Sequence, residues 1–181
     1  MPGWLATVCS AANCLGKTLE HRMMSKNLTP KPLDLDTLPG HHIRRLHQIA
    51  VAIFLQETEA HGVTPVQYAA LQAVANQPGI DQRTLAGRIG FDTSTIAGVI
   101  DRLETRGLLQ RQLSTEDRRV RQLSLTADGV KLLQALQPDM QTAQARMLAP
   151  LPKAERAEFM RMLRVLVEAN NGLSRAPSEG G

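Results

Sequence analysis

A short arginine-rich run joins two stretches that alternate apolar and polar residues. In LSTEDRRVRQLSLT, which begins at Leu113, two acids are followed by three arginines. Guanidinium groups form strong bidentate hydrogen bonds with phosphates and carboxylates. A projecting tip with Arg118, Arg119 and Arg121 therefore predicts contact with a polyanion. The alternative is a solvated hairpin whose charges only keep the surface soluble, and for EDRR alone that alternative is favoured.

The composition limits the class of fold. The chain has 181 residues, which indicates one domain, and its 43% hydrophobic residues include only 3% aromatic residues. The core must therefore be built from Leu, Ile, Val, Ala and Met, which favours helices over a β-sandwich. The net charge of +4 permits a polyanionic partner without requiring one. No apolar run approaches the roughly 20 residues that a membrane helix needs.

The sequence patterns at the two ends of the chain differ from those of the middle. Cys9 and Cys14 are the only cysteines, so a disulfide framework or a cysteine zinc site is excluded for the main domain, and a reducing cytoplasm is expected. Residues 1–23 make a poor signal peptide because no basic residue precedes their apolar stretch. We expect residues 1–38 to be a disordered extension that ends in an extended arm over 24–38, and residues 173–181 to be a tail.

Between these ends, capping residues and stop signals divide the chain into helices. Apolar residues at helical spacing follow Pro39, namely Ile43, Leu46, Ala50, Ile53 and Phe54. The next helix begins at Thr64-Pro65 and ends before Pro78-Gly79. A short helix capped by Asp81 ends at Gly90. A longer one, capped by Asp92 or Thr93, ends at Gly107.

The period then changes from helical to alternating. LLQRQL and VRQLSLT predict two strands, and two more helices follow, the second with Phe159, Met162, Leu163 and Leu166 on one side. The fold predicted is mainly α with a small β-hairpin wing. It is a winged helix-turn-helix over residues 64–126, flanked by dimerisation helices over 39–63 and 127–172.

A helix-turn-helix places its second helix in the major groove of DNA. That helix begins with small hydroxyl residues, which can contact phosphates or read bases, and Gly98 lets its backbone approach DNA closely. The predicted DNA contacts are Arg83, Thr84, Thr93, Ser94, Thr95, Gly98, Arg102, Arg118, Arg119 and Arg121. Asp101 or Asp117 is expected to orient Arg119 by a bidentate pair.

The segment TLAGRIGFDTSTIAGVIDRLETRGLLQRQLSTEDRRVRQLSLTADG resembles the core of MarR-type transcriptional regulators. The wing signature of that family corresponds here to Asp117, Arg119, Leu125, Thr126 and Gly129. The resemblance covers about residues 39–170. It implies a homodimer with interlocked terminal helices and a pseudo-palindromic operator. It also implies repression that a small phenolic or aromatic acid releases, and it suggests the Asp101–Arg119 pairing.

The first two helices also resemble the NicR/BpsR-like subgroup of nicotinate-catabolism repressors, which implies 6-hydroxynicotinate as effector. An aromatic acid needs a cation for its carboxylate and an apolar slot for its ring. The candidate effector-binding residues are His41, His42, Arg45, His47 and Tyr68. A solvated basic face is the alternative, and the histidine spacing is poor for a shared metal ion, so no metal or other cofactor is expected.

Two other functions are alternatives to a DNA-binding regulator. A winged-helix module that contacts only proteins would show no salt-dependent DNA binding. The enzyme alternative is disfavoured because the sequence has no glycine-rich phosphate loop and no convincing nucleophile constellation.

Overall fold

The computed structural model describes residues 32–113 and 121–174. Helices dominate these residues, as the composition predicted, and a small antiparallel sheet is the only other regular structure that they form. The elements are α1 (Pro39–Glu57), α2 (Pro65–Asn76), β1 (Ile80–Asp81), α3 (Gln82–Ile89), α4 (Thr93–Thr105), β2 (Leu109–Leu113), β3 (Arg121–Leu125), α5 (Ala127–Leu148) and α6 (Lys153–Asn170). None of these helices is long and apolar enough to cross a membrane.

The described residues fall into two units, 32–38 and those from Pro39 onward. In the described part of the first unit, Leu35–Thr37 forms a turn of 3-10 helix whose cap is Asp34. This differs locally from the extended arm predicted for residues 24–38. The Asp34 carboxylate accepts a hydrogen bond from the backbone N–H of Asp36, and such a local bond favours a turn over an extended chain.

Capping interactions fix the helix ends where the sequence predicted them. The Thr64 hydroxyl accepts a bond from the Gln67 N–H, and the Gln67 side chain accepts one from the Thr64 N–H at 3.0 Å, which is a capping box. Gly90 ends α3 with a φ of 75°, a left-handed conformation that glycine adopts without strain. These local signals explain why the helix positions could be predicted from the sequence.

The main core is aliphatic. Side chains from α2, α3, α4 and the sheet pack together without an aromatic residue, and the largest that are fully buried are Leu71, Val74, Ile80, Leu85, Ile96, Val99, Ile100, Leu103, Leu109 and Leu123. Burial of this one face holds α4 against the domain and leaves its opposite face in solvent. A second, smaller cluster joins Phe54 of α1 to Leu136 of α5.

The sheet has one strand more than the predicted hairpin. The strand order is β1-β3-β2, with Ile80 opposite Leu123 and Leu109 opposite Leu125. β1 covers only Ile80–Asp81. Two residues are too few to show an alternating pattern, which is why this strand was missed.

Helices α1 and α6 leave apolar surface uncovered within one chain. No residue of α6 is buried, and of the predicted inward face of α1 only Phe54 is. A groove of about 530 Å³ lies between the two helices, named here the α1–α6 groove. Its lining consists of Pro39, His42, Ile43, Arg45, Leu46, Ile49, Phe159, Met162, Leu163 and Leu166.

Candidate nucleic-acid interface

The pair α3–α4 presents an exposed, polar helix start. The Gln82 side chain in α3 donates a hydrogen bond to the carbonyl of Thr93 at 3.3 Å, which ties α3 to the beginning of α4. Thr93, Ser94 and Thr95 are all exposed, whereas Ile96 is fully buried one residue later. The predicted hydroxyl contacts therefore lie on the outer surface of a helix whose inner face is anchored in the core.

Asp92 controls the hydroxyl groups at this helix start. Its carboxylate accepts hydrogen bonds from the Ser94 hydroxyl at 2.5 Å, the Thr95 hydroxyl at 2.7 Å and the Thr95 N–H at 2.8 Å. These hydrogen bonds, that from Ser94 first, hold the pKa of Asp92 well below its usual range. With their protons donated to Asp92, both hydroxyls remain as acceptors. That suits the amino groups of adenine and cytosine in the major groove better than phosphates, which are acceptors themselves.

The other predicted DNA contacts on α3 and α4 differ in whether their side chains are free to contact DNA. Arg83 and Arg102 are exposed. The Thr84 hydroxyl donates to Asp81 at 2.6 Å, so its proton is committed to the cap of α3. An added Cβ at Gly98 would lie 3.6 Å from Nη1 of Arg102, so the guanidinium covers part of the surface that the glycine leaves open.

The hairpin β2–β3, named here the wing, carries the remaining predicted contacts. Arg121 is exposed at the start of β3, opposite Leu113. The tip residues Asp117, Arg118 and Arg119 lie outside the described residues. Their predicted roles, including the pairing of Arg119 with Asp101 or Asp117, therefore remain predictions.

Arg111 is a functional candidate that sequence reasoning missed. Its guanidinium group forms ion pairs with Asp101 and Glu104 of α4. Burial disfavours the charge of Arg111, but the hydrogen bonds to the two carboxylates outweigh it and raise the pKa of the guanidinium. Because Asp101 and Glu104 are three positions apart, they share one helix face, and this spacing was the available signal.

The Leu-Thr-x-x-Gly signature closes the base of the wing. The Thr126 hydroxyl donates to the carbonyl of Gly107 at 2.6 Å and accepts from the N–H of Gly129 at 3.1 Å. A Cβ at Gly129 would lie 2.1 Å from the carbonyl oxygen of Leu108, so only glycine fits. The signature therefore docks the start of α5 on the junction between α4 and β2.

The five predicted effector residues do not form one site within a single chain. Tyr68 lines a groove of about 1100 Å³ between α2, β3 and α5, named here the Tyr68 groove. Its ring lies 5.9 Å from the ring of Phe54, and burial raises the pKa of its hydroxyl. Arg45, in contrast, lies nine positions before Phe54 on α1, which corresponds to a distance of about 14 Å along the helix axis.

The predicted cationic residues lie in the N-terminal half of α1, whereas Phe54 lies near its C-terminal end. His42 and Arg45 line the α1–α6 groove, whereas His41 and His47 line neither groove. Desolvation, followed by the charges of Arg44 and Arg45, lowers the pKa of His41 and so disfavours its cationic form. The described lining of the Tyr68 groove holds no charged side chain but includes five glutamines, Gln72, Gln134, Gln137, Gln141 and Gln144.

His61 is a second residue that the sequence did not single out. Its Nε2 lies 3.0 Å from the Asp139 carboxylate of α5. Across residues 32–113 and 121–174, no three His, Cys, Asp or Glu side chains cluster as metal ligands.

Comparison with known proteins agrees with this architecture. The MarR family model matches residues 63–120. The chain is 30% identical over 154 residues to the HTH-type transcriptional repressor NicR of Pseudomonas putida, and the match covers 81% of this chain and 98% of NicR.

Two solved structures share the fold. One is Bordetella bronchiseptica BpsR, whose DNA binding is regulated by 6-hydroxynicotinic acid, with a TM-score of 0.71, 30% identity and coverage of 75% of this chain and 97% of BpsR. The other is the Rhodococcus jostii repressor CouR bound to a 23-mer DNA duplex, with a TM-score of 0.71, 27% identity and coverage of 76% of this chain and 99% of CouR. The chain belongs to the MarR family of transcriptional regulators.

Proposed function

We propose that this protein is a DNA-binding repressor that acts as a homodimer and leaves a pseudo-palindromic operator when it binds a small aromatic acid. The observation that carries the proposal is the start of α4. Thr93, Ser94 and Thr95 are exposed on a helix whose other face is locked into an aliphatic core. A helix held in this way can enter the major groove as a rigid body and read base edges.

The wing supports the same function. Arg121 is exposed at the start of β3 and follows the predicted phosphate contacts Arg118 and Arg119 in the sequence. Because Arg111 is neutralised by Asp101 and Glu104, it orients the wing rather than binding phosphate. The expected division of labour is base reading by α4 and phosphate contact by the wing.

The uncovered helices support the homodimer. Three apolar side chains that line the α1–α6 groove are largely exposed, namely Met162 (46%) and Leu166 (53%) of α6 and Ile43 (56%) of α1. A contiguous apolar surface of this kind marks an interaction site. A second copy of the chain covers it by packing its own α1 and α6 on the same surface, as two-fold symmetry requires.

The Tyr68 groove is the proposed ring site for the effector. It combines an aromatic side chain and Met140 with amide groups that can bond a ring hydroxyl or nitrogen. The predicted cations His42 and Arg45 are too far along α1 to serve this groove in the same chain, so the proposal requires the second subunit to supply them. The similarity to BpsR makes 6-hydroxynicotinate the first effector to test.

The test begins by selecting duplexes from a random pool with the purified protein. Fluorescence anisotropy then measures affinity for the selected duplex across a salt series, with 6-hydroxynicotinate, nicotinate and salicylate added in turn. The proposal predicts a palindromic sequence, salt-sensitive binding and release by one of the three acids. Binding that no acid disturbs contradicts the effector proposal alone, and failure to enrich any sequence favours a winged-helix module that contacts only proteins.

A further inference from the structure

The turn between α1 and α2 is bonded on two sides to different parts of the protein. Arg106, at the C-terminal end of α4, donates through Nη1 to the carbonyl of Gly62 at 2.9 Å and through Nη2 to the carbonyl of His61 at 3.3 Å. On the other side, Nε2 of the His61 ring lies 3.0 Å from Oδ2 of Asp139 in α5. A continuous chain of polar contacts therefore runs from α5 through the turn to α4.

The turn itself is fixed in place. Glu59–His61 forms one turn of 3-10 helix that ends at Gly62, whose φ is 57°. Thr58 before it is 1% exposed and donates its hydroxyl to the carbonyl of Phe54 at 2.8 Å, and Val63 after it is 3% exposed. Because both flanks are buried, the turn can transmit a displacement instead of absorbing it.

Asp139 connects this chain of contacts to the Tyr68 groove. Its neighbours in α5, Gln137 and Met140, both line that groove. The His61 side chain is 23% exposed and that of Asp139 is 33% exposed, so water screens the contact only in part. A displacement of α5 at the Tyr68 groove is therefore adjacent to the His61–Asp139 contact.

We propose that Arg106, His61 and Asp139 are positioning residues that fix the orientation of α4 relative to α5, and that they couple the Tyr68 groove to DNA recognition. This inference rests on the proposed function, because it assigns a route by which one site alters the other. None of the three residues lines the Tyr68 groove, and none belongs to the exposed helix start proposed to read bases, so they act only through the helices that they join.

The test compares affinity for the selected operator with affinity for a scrambled duplex of equal length. The variants are Arg106→Met, Asp139→Asn and the double substitution, with Asp128→Asn as the matched control, since it removes the same charge from the exposed start of α5. Each single variant is expected to lower the ratio of operator to scrambled affinity about fivefold. The double variant is expected to lower it no further than the more severe single variant, and the control to leave it unchanged.

A conservative substitution separates positioning from general damage. His61→Gln retains a side-chain N–H for Asp139 and is expected to restore most of the ratio that His61→Ala loses, while thermal unfolding shows that both variants are folded. Additive effects in the double variant, or equal loss of operator and scrambled binding in folded variants, would overturn the inference and leave the repressor proposal standing. A wild-type protein that prefers no sequence would overturn both.

Discussion

Arg111 in β2 forms an ion pair with Asp101 in α4, so the base of the wing is tied directly to the helix that carries the candidate base contacts. Glu104, one turn further along α4, accepts a bond from the same guanidinium group and another from the Arg111 backbone N–H at 3.3 Å. The orientation of the wing relative to α4 is therefore set by side chains well away from its tip.

Replacing Arg111 by methionine should weaken operator binding about tenfold and lower the free energy of unfolding by about 1–3 kcal/mol, since two carboxylates lose their shared charged partner. The Arg111 side chain is only 18% exposed, so direct loss of a phosphate contact does not explain such an effect. Anisotropy and urea denaturation measure the two quantities. Lys131→Met removes one charge from an exposed pair and serves as the control; an equal loss of affinity in both variants would indicate a general charge effect.

Replacing Gly129 by alanine should destabilise the fold by about 1–3 kcal/mol, because the new Cβ would lie 2.1 Å from the carbonyl oxygen of Leu108 and the backbone must shift. Gly40→Ala is the matched control, since nothing lies within 4 Å of a Cβ there. Thermal unfolding of the two variants measures the difference. A Gly129→Ala protein as stable as Gly40→Ala would show that the start of α5 is not docked on Leu108 as described.

Replacing Asp92 by asparagine should change base preference more than stability. Asparagine caps a helix as well as aspartate does. Its amide, however, has one acceptor oxygen where the carboxylate has two, so it cannot accept both the Ser94 and the Thr95 hydroxyl protons in the same way. One hydroxyl is then freed to donate. Repeating the duplex selection with the variant should return an altered half-site, whereas an unchanged half-site would separate Asp92 from base reading.

The same residue predicts a pH dependence of defined sign. The folded state lowers the pKa of Asp92 below its ordinary value of 3.8. Its contribution to stability is therefore present above that value and lost as the pH falls through the folded pKa. The Tm advantage of the wild type over Asp92→Ala should be largest near neutral pH and shrink below about pH 4. An advantage that stays constant down to pH 2 would contradict this.

Introducing a charge into the α1–α6 groove should dissociate the homodimer. Leu166 is 53% exposed in one chain and lines the groove, so Leu166→Asp should bury an unpaired carboxylate in the dimer and shift sedimentation towards the monomer. Ala157 is exposed on α6 and does not line the groove. The control Ala157→Asp should sediment as the wild type does; identical behaviour of the two variants would place the interface elsewhere.

Local signals made the helices predictable. Thr64 and Asp92 cap helices through residues three positions away, and such patterns are visible in any short window of sequence. The predictions were weaker where contacts join distant segments. The His61–Asp139 contact spans 78 positions, and the pairing of β1 with β3 joins Ile80 to Leu123 across α3, α4 and β2. The effector residues were grouped by chemistry alone, and the length of α1 separates Arg45 from Tyr68.

Hydroxyl-radical footprinting on the selected duplex tests the central claim most directly. Two copies of α4 in successive major grooves predict two protected patches related by two-fold symmetry, with centres about 10 base pairs apart. Flanking protection by the two wings should disappear in an Arg121→Ala variant while the central patches persist. A single asymmetric patch, or uniform protection that follows no sequence, would contradict a homodimeric repressor that reads DNA through α4.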